Sequence, residues 1–249
     1  MGESMKPISA ANCAAHPHQS VRDCAHCDVR EIAVCTALSG PELERLKAIA
    51  VYKSYDTGET VFAAEEPTSI VGTIVRGTIK TFKLLPDGRQ QVVGFLFPGD
   101  FIGSVTHDAN RYFAEALTPV EICILPYSGV QRMIHETPNL ERQLLKLAND
   151  DLDLAQEWML LLGRKTAQER LATFLLLLVD KAKARGADEA KIDLPMNRTE
   201  IADYLGLTIE TVSRQFSKLR SAGVIGVENN HQVSIKSRAH LAATAEGSA

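Results

Sequence analysis

No apolar run in this chain of 249 residues is longer than six, Phe174 to Val179, whereas a bilayer-spanning helix needs roughly 18 to 20 apolar residues. Met1 to Ser20 likewise lacks the apolar stretch of roughly 7 to 15 residues that marks a secretory signal. A cytoplasmic protein without membrane contact is therefore expected. Cysteine is scarce, five residues in all, too few for a disulfide scaffold; in a reducing compartment such residues act as ligands or reactive thiols. The chain has no glycine-rich nucleotide loop, no nucleophile–base constellation and no second cysteine cluster, which argues against an enzyme or electron carrier. Apolar residues at 45% and charged residues at 23% are those of a globular protein with an ordinary core.

The overall charge of −4 hides an asymmetry. Residues 1–163 carry 14 Lys and Arg against 21 Asp and Glu, a net of −7, while residues 164–240 carry 13 against 9, a net of +4. Only the C-terminal part presents the sign that attracts a polyanion, and association depends on that local field.

Between Val51 and Pro126 short β-rich runs alternate with turn signals. The runs are Thr60–Phe62, Ile70–Val75, Thr78–Leu84, Gln91–Phe97 and Glu121–Leu125; Asp56-Thr57-Gly58, Arg76-Gly77, Pro86-Asp87-Gly88 and Pro98-Gly99-Asp100 separate them. Many short strands with such turns indicate a small barrel or roll. From Asn139 to Leu162 there is neither glycine nor proline, and the pattern turns helical. This helix bears two apolar stripes. Leu145, Ala148, Leu152, Ala155, Met159 and Leu162 form one, suited to a parallel homodimeric seam; Leu140, Leu144, Leu147, Leu154, Trp158 and Leu161 form the other, expected to pack on the roll. Asp150, Asp151, Asp153 and Glu157 beside the seam oppose pairing by like-charge repulsion.

A second helix is expected over Ala167–Ala184, with a polar loop over Gly186–Lys191. A third begins at Arg198 and closes at Tyr204-Leu205-Gly206-Leu207, with glycine where a tight turn needs one. Thr208 caps a fourth, Ile209–Leu219. Val212, Phe216 and Leu219 lie on one face of that helix; Glu210, Ser213, Arg214, Ser217 and Lys218 lie on the other. This is a helix-turn-helix pattern, and its polar face suits base reading, since arginine pairs with guanine and a carboxylate accepts from cytosine. Ala222-Gly223-Val224-Ile225 and Gln232–Ile235 read as a wing hairpin around Glu228–His231.

Cys24-Ala25-His26-Cys27 followed by Cys35 is a C-x2-C-x7-C array, and Cys123 stands alone on the last roll strand. Thiolates so spaced hold an iron–sulfur cluster or a tetrahedral zinc, and His16, His18 and His26 are near enough to replace a cysteine around zinc. The spacing does not choose between them. Cys13 is left over as a free thiol.

Arg198-Thr199-Glu200-Ile201-Ala202-Asp203-Tyr204-Leu205-Gly206, followed by Glu210-Thr211-Val212-Ser213-Arg214, resembles the DNA-binding end of the CRP/FNR regulators. Gly58-Glu59-Thr60 and Pro98–Gly103 resemble turns of that superfamily's β-roll, so the likeness covers nearly the whole chain. It implies an α+β fold: a cyclic-nucleotide-binding-like jelly roll, a long dimerisation helix and a C-terminal winged helix-turn-helix. The expected segments are a cysteine-rich arm at 1–37, a roll at 38–136, a dimerisation helix at 137–163, a DNA-binding domain at 164–240 and a flexible tail at 241–249. The cyclic-nucleotide branch keeps an acidic residue where Ser104 stands and an arginine–hydroxyl pair near Tyr112-Phe113-Ala114, so no cyclic nucleotide is expected.

The FNR branch, in the FnrL/FnrN-type form of alphaproteobacteria, is the better likeness. It implies an oxygen-labile [4Fe-4S] cluster on Cys24, Cys27, Cys35 and Cys123, with zinc as the alternative. Further implications are double-stranded DNA bound as a TTGAT-N4-ATCAA palindrome, a homodimer controlled by the cluster, and contact with RNA polymerase. Glu210, Ser213 and Arg214 are the expected base readers, and Arg198, Thr208, Thr211 and Lys218 complete the DNA-contacting set. The competing expectation is a cluster-free regulator answering to a small molecule.

Overall fold

The computed structural model describes residues 24–229 and 231–248. Cys13, His16 and His18 lie outside the described residues. Eight strands make the roll: β1 (Val51–Tyr55), β2 (Thr60–Phe62), β3 (Ile70–Arg76), β4 (Ile79–Leu84), β5 (Gln90–Leu96), β6 (Phe101–Ile102), β7 (Phe113–Ala116) and β8 (Val120–Pro126). They form two antiparallel sheets, ordered β1-β8-β3-β6 and β2-β7-β4-β5. Alternation along β8 sends Ile122 and Ile124 into the roll core with Ile74, Ile79 and Ala114, so Cys123 faces the other side of the sheet. At the β3–β4 turn Gly77 adopts φ +83°, and a Cβ there would collide with the Pro119 carbonyl oxygen. Only glycine fits that turn.

Helix α1 (Gly40–Ile49) precedes the roll and α2 (Tyr127–Glu136) follows it. A capping box between Ser39 and Glu42 starts α1, a signal legible in the sequence. Helix α3 (Pro138–Arg164) runs 27 residues, about 40 Å at the helical rise. Its two stripes separate as their spacing predicts. Leu140, Leu144 and Leu147 pack with α1, α2, the cysteine loop and Val71 and Leu125 of the roll, while Leu161 and Trp158 pack into the C-terminal core that also takes in Phe95 and Phe97 of the roll; the stripe thus meets the roll as expected, and the flanking helices and the C-terminal unit besides. The other stripe stays open, with Leu145, Leu152 and Met159 exposed by 61%, 54% and 65%. Leu162 departs from it, half-buried against the C-terminal core.

The C-terminal unit comprises α4 (Ala167–Ala184), β9 (Lys191–Asp193), α5 (Arg198–Leu205), α6 (Ile209–Ser221), β10 (Ile225–Glu228), β11 (Gln232–Ile235) and α7 (Arg238–Ala245). The three strands form one antiparallel sheet, β10-β11-β9. Helix α7 corrects the expectation of a flexible tail from 241. Ser237 caps it by accepting from the His240 amide, its alanines favour helix, and Leu241 and Ala245 are buried in the core around α4. That core continues into the roll, where Phe82, Val92, Phe95 and Phe97 of the outer sheet face belong to the same cluster as Phe174, Tyr204 and Phe216. Among the described residues no helix is long and apolar enough to cross a membrane.

Candidate metal centre and nucleic-acid interface

The segment Cys24–Leu38 is two single 3-10 turns, Cys24–His26 and Val34–Ala37, joined by a tight bend. The bend is closed by backbone bonds from Arg30 to Cys27, Ala33 to Val29 and Leu38 to Cys35, at 3.1, 2.9 and 3.1 Å. Val29 and Ala33 anchor it against Tyr52 and Val75 on the outer face of the roll sheet, and Arg76 pairs with Asp28 at 3.1 Å. This docking lays the loop over Cys123, which sits opposite Tyr52 on one side and Thr73 on the other. Cys24, Cys27, Cys35 and Cys123 thereby line one pocket, walled otherwise by apolar side chains, Tyr52 and Thr73.

The pocket gathers four sulfurs, and no lysine, arginine or histidine is among the residues that line it; Arg30 acts on Cys35 from outside. None is in a disulfide. Burial, reinforced by the facing Cys27, pushes the Cys35 thiol up to about 11. Burial and then the facing Cys24 push Cys123 up to about 12, and only the Tyr52 hydroxyl, donating to its sulfur, opposes the rise. Such thiols stay protonated at neutral pH unless a cationic centre takes the protons' place. Soft thiolates with no carboxylate among them fit iron–sulfur or zinc chemistry. Among the described residues no three of His, Cys, Asp and Glu are grouped to hold a single metal ion. The free space between the four sulfurs is about 20 Å³. His26 is exposed. Tyr52 escaped the sequence reading, because its pairing with Cys123 is a register between strands about 70 residues apart in sequence.

The helix-turn-helix is built as the sequence pattern implies. Asn197 and Glu200 form a capping box on α5, the Glu200 amide donating to Asn197 Oδ1 at 3.0 Å and the Asn197 amide to Glu200 Oε2 at 2.8 Å. Gly206 ends α5 in the left-handed conformation, φ 60°. Thr208 caps α6 by accepting from the Thr211 amide at 3.2 Å. Val212, Phe216 and Leu219 are buried; Glu210, Ser213, Arg214, Ser217 and Lys218 are exposed. Arg214 is steadied by donating to Thr211 Oγ1 at 3.2 Å. Hydrogen bonds at the helix start, from its own backbone amide and from Thr208, hold the Glu210 carboxyl below its ordinary value, so it is ready as an acceptor.

Arg198 is placed otherwise than the sequence reading has it. Its guanidinium lies 3.3 Å over the Phe216 ring, and burial lowers its pKa to about 10. It braces α5 against α6 instead of facing outward, because the flat guanidinium finds an aromatic face there.

Two family descriptions match the chain: a cyclic nucleotide-binding domain over residues 52–137 and a Crp-like helix-turn-helix domain over residues 169–244. A probable transcriptional activator of Rhizobium leguminosarum bv. viciae is 45% identical over 206 residues, 83% of this chain and 86% of that protein. The transcriptional activator protein FnrL of Cereibacter sphaeroides is 39% identical over 222 residues, 88% of this chain and 90% of its own length. Among solved structures, FixK2 from Bradyrhizobium japonicum superposes with a TM-score of 0.75 at 36% identity, covering 79% of this chain and 97% of that one.

Proposed function

This chain belongs to the Crp/FNR family of transcription regulators, and on that premise we propose that it is an oxygen-responsive member whose DNA binding is governed by a [4Fe-4S] cluster on Cys24, Cys27, Cys35 and Cys123. The observation that carries the reading is the convergence of these four cysteines, three from a loop and one from β8, on a single apolar pocket. When bound, the cluster supplies an oxygen-labile tie between loop and strand.

The chain's own residues do the rest. Val29, Ala33 and Arg76 seat the loop on the sheet. Leu140, Leu144 and Leu147 join that loop's hydrophobic neighbourhood to α3, so loop order bears on the helix that carries the open stripe. Leu145, Leu152 and Met159 pair with the same residues of a second copy. The acidic residues Asp150, Asp151, Asp153 and Glu157 keep that pairing weak enough to be switched. Two α6 helices then enter successive major grooves about 34 Å apart, so the target is a near-palindrome of the TTGAT-N4-ATCAA type. Glu210, Ser213 and Arg214 read base edges, with Thr208, Thr211 and Lys218 toward the backbone.

The test is the absorption spectrum of protein purified without oxygen and followed into air. Iron and acid-labile sulfide are counted and binding to the palindrome is measured at each stage. A band near 400 nm that bleaches as affinity falls is expected. A colourless, zinc-loaded, air-indifferent protein overturns the cluster reading and returns the search for a signal to a small molecule in the roll.

A further inference from the structure

The C-terminal unit is seated on the roll by polar contacts that no part of the DNA-reading chemistry requires. Lys80, in the middle of β4, is 6% exposed. Its ammonium meets Glu115 of β7 at 2.9 Å and Glu200 of α5 at 3.3 Å. Glu200 is already committed to the α5 capping box through its other oxygen, so one carboxylate ties the start of the helix-turn-helix both to itself and to the roll. Further along α5, Gln91 of β5 donates to the Asp203 carbonyl at 2.6 Å and Trp158 of α3 donates to the Tyr204 carbonyl at 3.3 Å. Tyr204 stacks on Trp158 with ring centres 4.3 Å apart and meets Phe95 of β5 edge-on at 4.9 Å.

These contacts differ in what they determine. The aromatic and apolar surfaces attract without fixing an angle, since hydrophobic contact is non-directional. A buried ion pair contributes little net stability against an apolar replacement, yet it is costly to leave half-made, and its best-attested use is to select one register among several. Burial alone would lower the Lys80 pKa; its two carboxylate partners more than offset that and leave it raised.

We infer that Lys80, through Glu200, is the positioning residue that fixes the angle of the helix-turn-helix on the roll and hence the spacing between the two recognition helices of the dimer. The inference rests on the reading of the chain as a two-fold DNA binder. The roll then acts on DNA recognition by two routes, through α3 pairing and by direct docking of α5.

The experiment uses the full-length protein, kept anaerobic, and duplexes carrying two TTGAT half-sites with N2, N4 or N6 spacers, plus a single half-site. Glu200→Gln is the principal variant, because the amide oxygen still accepts in the capping box while the charge facing Lys80 is gone and the Lys80–Glu115 pair survives. Lys80→Met is the second. Wild type is expected to favour N4 over N2 and N6 by at least tenfold. Both variants are expected to bind the single half-site within twofold of wild type and to lose at least fivefold of that spacing preference. Amide exchange without DNA should accelerate across 79–96 and 198–205 together, a pairing that only undocking produces. Variants with wild-type spacing preference and wild-type exchange overturn the inference. If wild type shows no spacing preference, the two-fold reading fails; unchanged exchange in the variants would independently show that Lys80 does not hold the docking.

Discussion

Leu152 lies midway along the open stripe of α3 and is 54% exposed in the protomer. Full burial of a leucine is worth roughly 1.5–3 kcal/mol, so completing the burial of a half-exposed one contributes about 1 kcal/mol. A two-fold axis counts each substitution twice, so Leu152→Ala should cost the dimer about 2 kcal/mol, about a 30-fold rise in its dissociation constant. Sedimentation equilibrium of the anaerobic protein over a concentration series reads this directly. The helix content of the protomer should not change, because the lost surface faces solvent there. Leu161→Ala supplies the contrast: that side chain is fully buried within the protomer, and its loss should cost about 2–5 kcal/mol of folding stability. A Leu152→Ala protein that dimerises within twofold of wild type would refute the assignment of this face to the seam.

Three further outcomes are expected. In the metal-free folded chain, Cys35 and Cys123, raised from 9.0 to about 11 and about 12, should hold about a hundredth and a thousandth of the ordinary thiolate at pH 8; iodoacetamide should label them correspondingly slowly, rising about tenfold per pH unit, and labelling as fast as in urea would contradict the buried pocket. Gly72→Ala places a Cβ 2.6 Å from the Cys123 carbonyl oxygen and 2.9 Å from Ile122, so it should lower both the melting temperature and the iron content, the latter read by metal analysis. Arg214→Ala and Ser213→Ala should each cost about 1–3 kcal/mol of preference for the palindrome over random DNA in competition binding, and an unchanged preference would remove that residue from the base-reading set.

What the sequence made legible was mostly local. Gly206 and Thr208 mark the ends of α5 and α6 because a left-handed turn and a cap are chosen by residue type. The length of α3 and the division of its stripes follow from uninterrupted periodicity. Helix α1 carries its signal in Ser39, Pro41 and Glu42, whereas the β7 strand Phe113–Ala116 is four residues long and contains two alanines and a glutamate, a weak strand signal. Helix α7 is hard to tell from a tail in sequence because its alanines show little amphipathic contrast. The cysteine set could be listed from spacing and resemblance, but the roles of Tyr52 and Arg198 could not. Those depend on which strand lies beside which and on which ring lies under a guanidinium, and such pairings are set by tertiary packing. Lys80 and Glu200 stand 120 positions apart, with no sequence pattern linking them.

The continuous core that joins roll to C-terminal unit bears on how the chain may be divided. Phe95 touches both Phe174 and Tyr204, with ring centres 6.1 and 4.9 Å away, and Trp158 of α3 covers the remaining face of Tyr204. A fragment beginning at Arg164 would lose Phe95 and Trp158 and leave Phe174 and Tyr204 facing water, a sticky patch where the intact chain has interior. The segments that order the sequence are therefore not separable modules: an excised DNA-reading fragment would need apolar-to-polar replacements at that face to stay monodisperse, whereas the whole chain has no such need.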